Sequence, residues 1–202
     1  MNSTAYDFAM GSAKKIRVVQ IGLGHIGLEA VKVLLGKPQF QIVGVVDIDP
    51  RKVGRKLPEF LEDKKAPDVD ISASVPECLR ASRADVAIHT TGSFLKDAFP
   101  QLREIVEAGA HCVSSAEELS FPRFRNPELS EELHRLAKRK KVAVLGTGVN
   151  PGFVMEVLPL CLSGVCQTAE RIDVRRVLNA AKRRLPLQIK VGAGMTRAEF
   201  TR

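Results

Sequence analysis

The sequence predicts an α/β fold whose core is a doubly wound parallel sheet, and three observations support this prediction. Short apolar, β-branched runs alternate with helical segments six times between residues 16 and 145. The first of these runs ends in a G-x-G-x-x-G turn. Aromatic residues make up only 5% of the chain and Trp is absent, which suits a core of Val, Ile, Leu and Ala. Such alternation implies right-handed crossovers and the strand order 3-2-1-4-5-6 of the Rossmann fold.

The individual elements follow from local patterns along the chain. Strands are predicted where short apolar runs end at Gly, Asp or polar residues: Ile16–Ile21, Gln41–Val46, Val69–Ser72, Asp85–His89, His111–Ser114 and Val142–Leu145. Helices are predicted after capping residues or at Pro in a first turn: Gly24–Leu35, a segment opening at Val75, Leu95–Ala108 and Pro127–Lys140. The polar stretch Ile48–Ala66, rich in Pro and Lys, is predicted to be a short helix and loop on the surface.

The pattern divides the chain into three parts. Residues 1–13 are predicted to be a disordered extension, and residues 14–150 to be the dinucleotide-binding domain. Beyond residue 150 the alternation changes, so 151–202 are predicted to begin a second, α+β domain that serves substrate binding and dimerisation. Its expected elements are a helix at Gly152–Leu162 and strands at Arg171–Leu178 and Gln188–Val191. Because these strands lack any following helical cover, we expect the chain to be truncated.

Composition and charge exclude several classes of function. Hydrophobic residues make up 45% of 202 residues, enough for a real core. The net charge is +8, but the basic residues are spread out with few aromatics among them, which argues against a nucleic-acid partner. No run resembles a signal peptide or a membrane span, so a cytoplasmic protein is expected. The four Cys form no CxxC pair, so we expect buried thiols and no metal site.

The glycine-rich turn predicts a dinucleotide site. It reads Gly22-Leu23-Gly24-His25-Ile26-Gly27, directly after a predicted strand and at the start of a helix. In this motif the first glycine makes the tight turn, the second lets the backbone approach a pyrophosphate, and the third allows close packing of helix and strand. All six residues are therefore predicted to bind NAD or NADP, although His25 is expected to be an exposed loop residue and not a catalyst. The alternative is a glycine turn without a ligand.

An acidic residue follows the motif at the expected distance. Asp47 lies twenty residues after Gly27, at the end of the second predicted strand. It is predicted to accept hydrogen bonds from the adenosine ribose, which favours NAD. Arg51 and Lys52 could instead pair with a 2′-phosphate, or could be solvated loop residues. The choice between NAD and NADP is therefore open.

Two further segments are predicted to meet the cofactor at the carboxyl edge of the sheet. The turn Thr90-Thr91-Gly92-Ser93 follows the fourth strand and is predicted to run along the cofactor; alternatively, Ser93 merely caps the next helix. His89 beside it is expected to be a packed strand residue. Glu117 and Glu118 follow the fifth strand, and one of them could act as a general base. Adjacent side chains point in different directions, so we expect only one of the pair to face the cleft.

Four segments in this order carry a family resemblance. They are Val19–Gly24, His89–Ser93, Glu117–Pro122 and Gly146–Met155. Together they resemble the 2,4-diaminopentanoate dehydrogenases and the related native amine dehydrogenases, whose N-terminal domain is similar to dihydrodipicolinate reductase.

The resemblance implies an NAD(P)-dependent amine dehydrogenase that catalyses reversible oxidative deamination to a ketone and ammonia, in a homodimer. It places the catalytic glutamate within the pair Glu117 and Glu118, and the first of these is preferred. It also places Asn150 at the nicotinamide, with Pro151, Phe153 and Met155 in the substrate pocket. Asn150 could equally cap a helix that begins at Pro151. Two other functions stay open: an imine reductase of the dihydrodipicolinate-reductase type, and a non-catalytic NAD(P)-binding fragment.

Overall fold

The computed structural model of the protein describes residues 14–61, 66–183 and 185–201. The predicted extension at 1–13 lies outside these residues. The chain divides into two compact units, with the boundary between Leu158 and Pro159. The sequence places its domain boundary eight residues earlier, after Asn150.

The first unit is built around six parallel strands. They are β1 (Ile16–Ile21), β2 (Phe40–Val46), β3 (Ile71–Ser72), β4 (Val86–His89), β5 (His111–Ser114) and β6 (Val144–Gly146). Their order in the sheet is β3-β2-β1-β4-β5-β6, and every neighbouring pair is parallel. The predicted Rossmann-type fold and strand order are therefore confirmed.

Helices connect these strands. In the first unit they are α1 (His25–Leu35), α2 (Val75–Ser82), α3 (Leu95–Glu107), the single turn α4 (Pro122–Arg125) and α5 (Pro127–Lys140). Two 3₁₀ helices, Leu57–Phe60 and Glu117–Ser120, lie in the loops. After β6 the π-helical segment Phe153–Val157 leads into α6 (Leu158–Ser163).

Two hydrophobic clusters form the core of the first unit. Val45 and Val46 are both buried but belong to different clusters, because successive side chains of a strand point to opposite faces of the sheet. The smaller cluster also contains Leu57 and Leu61, from the stretch predicted to lie on the surface. That prediction is wrong for these two residues: the 3₁₀ turn folds back so that Leu57 is fully buried.

The second unit differs from its predicted strands. Residues 171–179 have no regular structure, so the strand predicted at Arg171–Leu178 is wrong. The strand predicted at Gln188–Val191 is also wrong, because this segment lies largely in the helix α7 (Leu185–Lys190). The Gln188 amide explains the difference: it donates to the carbonyls of Ala181 at 3.2 Å and Arg183 at 2.6 Å, which ties the helix to the preceding turn. The 3₁₀ helix Ala180–Lys182 and α8 (Arg197–Phe200) complete the described elements.

The cysteines divide between the two units. Cys78 and Cys112, in the first unit, are buried, and burial raises the pKa of Cys112 to about 12. Cys161 and Cys166, in the second unit, are exposed, so the expectation of buried thiols holds for only half of them. Within the described ranges, no set of three or more His, Cys, Asp or Glu side chains could bind a metal ion, and no helix has the length and apolarity to cross a membrane.

Candidate functional site

At Gly22 and Gly27, the glycine-rich turn packs against its surroundings with no room for a side chain. Gly22 has φ +84°, and a Cβ there would lie 2.9 Å from the Thr90 carbonyl oxygen. A Cβ on Gly27 would lie only 1.9 Å from the Gly22 carbonyl oxygen. Gly24 differs, because nothing lies within 4 Å of the position that its Cβ would take. The turn is therefore tightly packed at Gly22 and Gly27, and it has free space at Gly24.

The open side of the turn coincides with the start of α1. Gly24 is the N-cap residue, no side chain caps the helix, and its first turn contains no acidic residue. The first backbone N–H groups of such a helix have no intrahelical acceptors, and the helix dipole adds partial positive charge. His25 and Ile26 are exposed here, as the first residues of the helix. This arrangement fits the phosphates of a dinucleotide.

Asp47 holds the glycine-rich turn from the end of β2. Its carboxylate accepts the Leu23 N–H at 2.7 Å and the Asp49 N–H at 2.8 Å. Lys52 bridges the same two segments, since its ammonium lies 3.1 Å from the Asp47 carboxylate and 3.0 Å from the Leu23 carbonyl oxygen. Burial raises the pKa of Asp47, but these amide hydrogen bonds and Lys52 outweigh it and lower the pKa below its usual 3.8. Asp47 is thus ionised and fixed in place.

This lowered pKa predicts a pH-dependent contribution to stability. A carboxyl group whose pKa is lower in the folded state stabilises the fold above about pH 4, and this contribution is lost as the pH falls through the folded-state pKa. We expect Asp47→Asn to lower the free energy of unfolding at pH 7, with a difference from the parent that shrinks toward pH 3. Urea unfolding of both proteins at several pH values measures this difference in the free energy of unfolding. The exposed Asp68→Asn is the control, and an Asp47→Asn difference that stays constant with pH would contradict the assignment.

The two basic residues after Asp47 have different surroundings. The Arg51 side chain is 86% exposed and binds the Asp49 carboxylate through two nitrogens, at 3.0 and 2.7 Å. The Arg51 guanidinium is therefore solvated and accessible. Lys52 differs, because its side chain is only 21% exposed and holds Leu23. This anchoring role could not be predicted, since nothing in the loop sequence shows that Lys52 turns back toward the glycines.

The turn after β4 contacts the glycine-rich turn directly. Thr90 donates from Oγ1 to the Gly22 carbonyl oxygen at 2.9 Å, and Gln20 donates to the same Thr90 oxygen at 2.8 Å. Gln20 is a fully buried strand residue that the sequence analysis did not single out. Gly92 has open space at its Cβ position. The structure therefore brings the two predicted cofactor segments together, with Thr91 exposed beside them.

Ser93 links this turn to the glutamate pair. The Ser93 hydroxyl lies 3.4 Å from the Glu117 carboxylate, and the Ser93 carbonyl oxygen accepts the Glu118 N–H at 3.1 Å. Ser93 does not cap α3: the N-cap residue is Phe94, without a side-chain hydrogen bond. The capping alternative is therefore wrong, and the structural reason lies in Glu118.

Glu118 supplies the missing cap of α3. Its carboxylate accepts the Leu95 N–H at 2.9 Å and the Asn126 amide at 3.0 Å, and Arg125 lies 3.8 Å away. The side chain is only 17% exposed. A carboxylate at a helix N-terminus satisfies an otherwise unpaired N–H and interacts favourably with the helix dipole. The two adjacent glutamates thus point in different directions, one toward Ser93 and one into a helix cap.

Gly146 positions the glutamate turn from the end of β6. A Cβ on Gly146 would lie 2.4 Å from the Leu119 carbonyl carbon, so the sheet and the 3₁₀ helix Glu117–Ser120 meet backbone to backbone. Sequence analysis used Gly146 only as part of a motif. Its isolated position after an apolar run was the available signal for a close backbone approach.

The segment after β6 forms a closed turn. Gly152 has φ +126°, and a Cβ there would lie 2.4 Å from the Gly148 nitrogen. The π-helical segment begins at Phe153 with Gly152 as its N-cap residue, so the alternative in which Asn150 caps a helix starting at Pro151 is wrong. Asn150 is exposed, Phe153 is 53% exposed, and Met155 and Pro151 are half-buried. Asn150 thus keeps its amide at the surface.

Three curated proteins are similar to this chain in sequence. No family model matches the chain. The 2,4-diaminopentanoate dehydrogenase of Acetoanaerobium sticklandii is 34% identical over 190 residues, which cover 94% of this chain and 54% of that protein. The amine dehydrogenase of Streptomyces virginiae is 27% identical over 185 residues, covering 89% of this chain and 51% of that protein. The 4-hydroxy-tetrahydrodipicolinate reductase of Listeria welshimeri is 26% identical over 133 residues, covering 65% and 45%.

A solved structure gives the same result. The amine dehydrogenase from Mycobacterium smegmatis superimposes with a TM-score of 0.70 and 35% identity, over 78% of this chain and 45% of that chain. The chain spans about half the length of the curated relatives that it matches. Over that span, the chain is similar in sequence and fold to the 2,4-diaminopentanoate dehydrogenase and the amine dehydrogenases.

Proposed function

We propose that the first unit binds NAD or NADP, with the pyrophosphate over Gly24 and the N-terminus of α1. The open face at Gly24 and the uncapped start of the helix support this proposal. Thr90 contacts the glycine-rich turn and Gly92 has open space beside it, and both follow β4 at the carboxyl edge of the sheet, where ligands bind in open α/β folds. When bound, the nicotinamide supplies a hydride acceptor in one direction and a hydride donor in the other.

For the adenosine end of the cofactor we propose that Asp47 contacts the ribose hydroxyls. Its carboxylate is fixed by the Leu23 and Asp49 amides, which prepares it for that contact. The Lys52 ammonium balances the charge of Asp47 and so reduces its repulsion of a 2′-phosphate. We therefore propose that the protein accepts both cofactors, with Arg51 as a further, exposed contact for the 2′-phosphate.

The chemistry that we propose is reversible oxidative deamination. An ammonium-bearing carbon, oxidised cofactor and water give a ketone, an ammonium ion, reduced cofactor and one proton. We propose Glu117 as the residue that holds the ammonium ion and accepts the proton of the attacking water. The observation that supports this choice is position: the hydroxyl of Ser93, in the turn proposed to run along the cofactor, lies 3.4 Å from the Glu117 carboxylate, whereas the Glu118 carboxylate accepts hydrogen bonds from Leu95 and Asn126.

For the substrate we propose a small amine resembling 2,4-diaminopentanoate. The relative from A. sticklandii is named for that substrate, and the exposed Phe153 and half-buried Met155 offer an apolar wall after β6. Asn150 is proposed to contact the nicotinamide or the substrate from the same turn.

We also propose that the protein acts as a cytoplasmic homodimer. The side chains of Phe121 and Phe124, which are 71% and 79% exposed, support an interaction surface on the first unit.

A second candidate is an imine reductase. The relative from L. welshimeri is named as a reductase, and its match covers 65% of this chain. The two functions differ in their need for ammonia, because an imine reductase needs none. A third candidate, a cofactor-binding fragment, differs from both because it binds nucleotide without turnover.

One experiment separates these candidates. We expect oxidation of NADH or NADPH, followed at 340 nm, to require both ammonia and a small ketone such as 2-amino-4-oxopentanoate. A parallel titration of each cofactor by fluorescence measures binding alone. Oxidation with a cyclic imine in the absence of ammonia would favour the reductase, and binding without any oxidation would leave only the cofactor-binding fragment.

A further inference from the structure

A buried histidine lies between the two turns that form the candidate site. His89 is the last residue of β4, directly before the turn Thr90–Ser93, and its side chain is fully buried. Burial lowers the pKa of His89, and a hydrogen bond with Gln101 only partly opposes this effect. The neutral ring therefore offers one donor and one acceptor, on opposite sides.

One side of the ring faces the strand that leads to Glu117. His89 Nδ1 lies 2.8 Å from the Ser114 hydroxyl, and that hydroxyl oxygen accepts the Ala116 N–H at 3.1 Å. Ala116 directly precedes the 3₁₀ helix Glu117–Ser120. This side of the ring thus fixes the start of the glutamate turn.

The other side faces the turn after β4. His89 Nε2 lies 2.8 Å from the Thr91 hydroxyl and 2.9 Å from the Gln101 side-chain oxygen. The Thr91 hydroxyl donates to the same Gln101 oxygen at 2.8 Å. Gln101 is a residue of α3, so the turn is held between strand and helix through this ring.

A single arrangement of protons satisfies all these contacts. The Gln101 side-chain oxygen can only accept, so His89 Nε2 carries the proton and shares it between that oxygen and the Thr91 hydroxyl oxygen, whose own proton goes to Gln101. Nδ1 then accepts the hydroxyl proton of Ser114, whose oxygen is left to accept the Ala116 N–H. The network runs without a break from the Ala116 amide to the Thr91 hydroxyl.

We infer that His89 is a positioning residue that sets the Glu117 turn and the Thr91 turn relative to each other. The geometry carries this inference, because each ring nitrogen contacts a different turn. A histidine that only filled space would need a hydrogen-bond partner for each ring nitrogen. Those partners would not have to be connected to the segments of the site, as Ser114 and Thr91 are. The roles of the two turns in catalysis and in cofactor binding rest on the proposed function.

The two ends of the ring can be tested separately with amide side chains. His89→Asn places an amide near Nδ1 and keeps a partner for the Ser114 hydroxyl, but removes the ring contact of Thr91 and Gln101, which then keep only each other. His89→Gln reaches the position of Nε2 and keeps the contact with Thr91 and Gln101, but removes the acceptor of the Ser114 hydroxyl proton, and that hydroxyl then keeps only the Ala116 N–H. The two variants therefore form a matched pair.

Hydrogen exchange measured by mass spectrometry reads each end directly. We expect His89→Asn to speed exchange at residues 90–93 and to weaken NADH binding about tenfold, a larger effect than its effect on turnover at saturating cofactor. We expect His89→Gln to speed exchange at residues 115–118 and to lower turnover about tenfold, a larger effect than its effect on NADH binding. Thr91→Val and Ser114→Ala, which each remove one hydroxyl, give the same two patterns if a His89 variant fails to fold.

The exchange data distinguish this inference from the proposed function. If both variants speed exchange in the same segments, or in neither, His89 is a packing residue and the inference is wrong. If the parent protein binds NADH but shows no ammonia-dependent turnover, the proposed function fails. The crossed exchange pattern and the NADH affinities still decide the role of His89.

Discussion

Replacing Glu117 by Gln is expected to abolish turnover while leaving the fold and cofactor binding intact. A general acid–base residue contributes about 10²–10⁴-fold to the rate, and Gln keeps the shape of Glu but cannot accept a proton. Glu117 contacts the Ser93 hydroxyl at 3.4 Å, an interaction that the Gln side chain can also make. Ammonia-dependent NADH oxidation measures the loss, and a fluorescence titration measures cofactor binding.

Glu118→Gln is the matched control for this experiment. We expect it to cost about 1–3 kcal/mol of stability, because the carboxylate accepts charge-assisted hydrogen bonds from the Leu95 N–H and the Asn126 amide. Its turnover, measured well below the melting temperature, should fall far less than that of Glu117→Gln. If Glu118→Gln were inactive and Glu117→Gln active, the catalytic assignment would have to be reversed.

Gly27→Ala is expected to cause the second large effect, loss of cofactor binding together with loss of stability. The new Cβ would lie 1.9 Å from the Gly22 carbonyl oxygen and 3.0 Å from Thr90 Oγ1, so the helix must move away from the strand. Overpacking of this kind costs about 1–3 kcal/mol, and more where backbone atoms collide. Thermal unfolding and NADH titration measure the two effects.

Gly24→Ala provides the contrast within the same turn. Gly24 has φ −75° and ψ −171°, which any residue can adopt, and open space at its Cβ position. We expect a stability change within about 1 kcal/mol. NADH binding should still weaken by about 10–100-fold, because the methyl group stands where phosphate oxygens accept backbone N–H groups. Unchanged binding in Gly24→Ala would mean that the nucleotide lies elsewhere.

The sheet could be predicted because its signals are local. Each parallel strand is a short apolar run, and the G-x-G-x-x-G turn and Asp47 occur at the spacing that one βαβ unit requires. The predicted strand His111–Ser114 agrees with β5 residue for residue. Contacts between distant segments could not be predicted in this way. Glu118 caps a helix that begins 23 residues earlier in the chain, a relation that only the folded sheet creates.

In the second unit, local sequence patterns predicted strands that the structure does not form. The alternation of charged and apolar residues at 171–175 satisfies the period of a strand, but a strand also needs a partner edge. The described residues of this unit pair no strand with it, so the backbone there is irregular. At 188–191 the short run Gln-Ile-Lys-Val suits a strand or a helix, and the Gln188 contacts with Ala181 and Arg183 favour the helix. Runs this short carry no periodicity that could decide between the two.

The division of the thiols between the two units gives the protein a built-in chemical reporter. Cys78 and Cys112 are enclosed in the core of the first unit, whereas Cys161 and Cys166 lie open in the second. An alkylating reagent would therefore modify the exposed second pair without any unfolding, and the buried first pair only when the core of the first unit opens. The rate of that slow modification, with and without NADH, would report how strongly a bound nucleotide holds the parallel sheet closed.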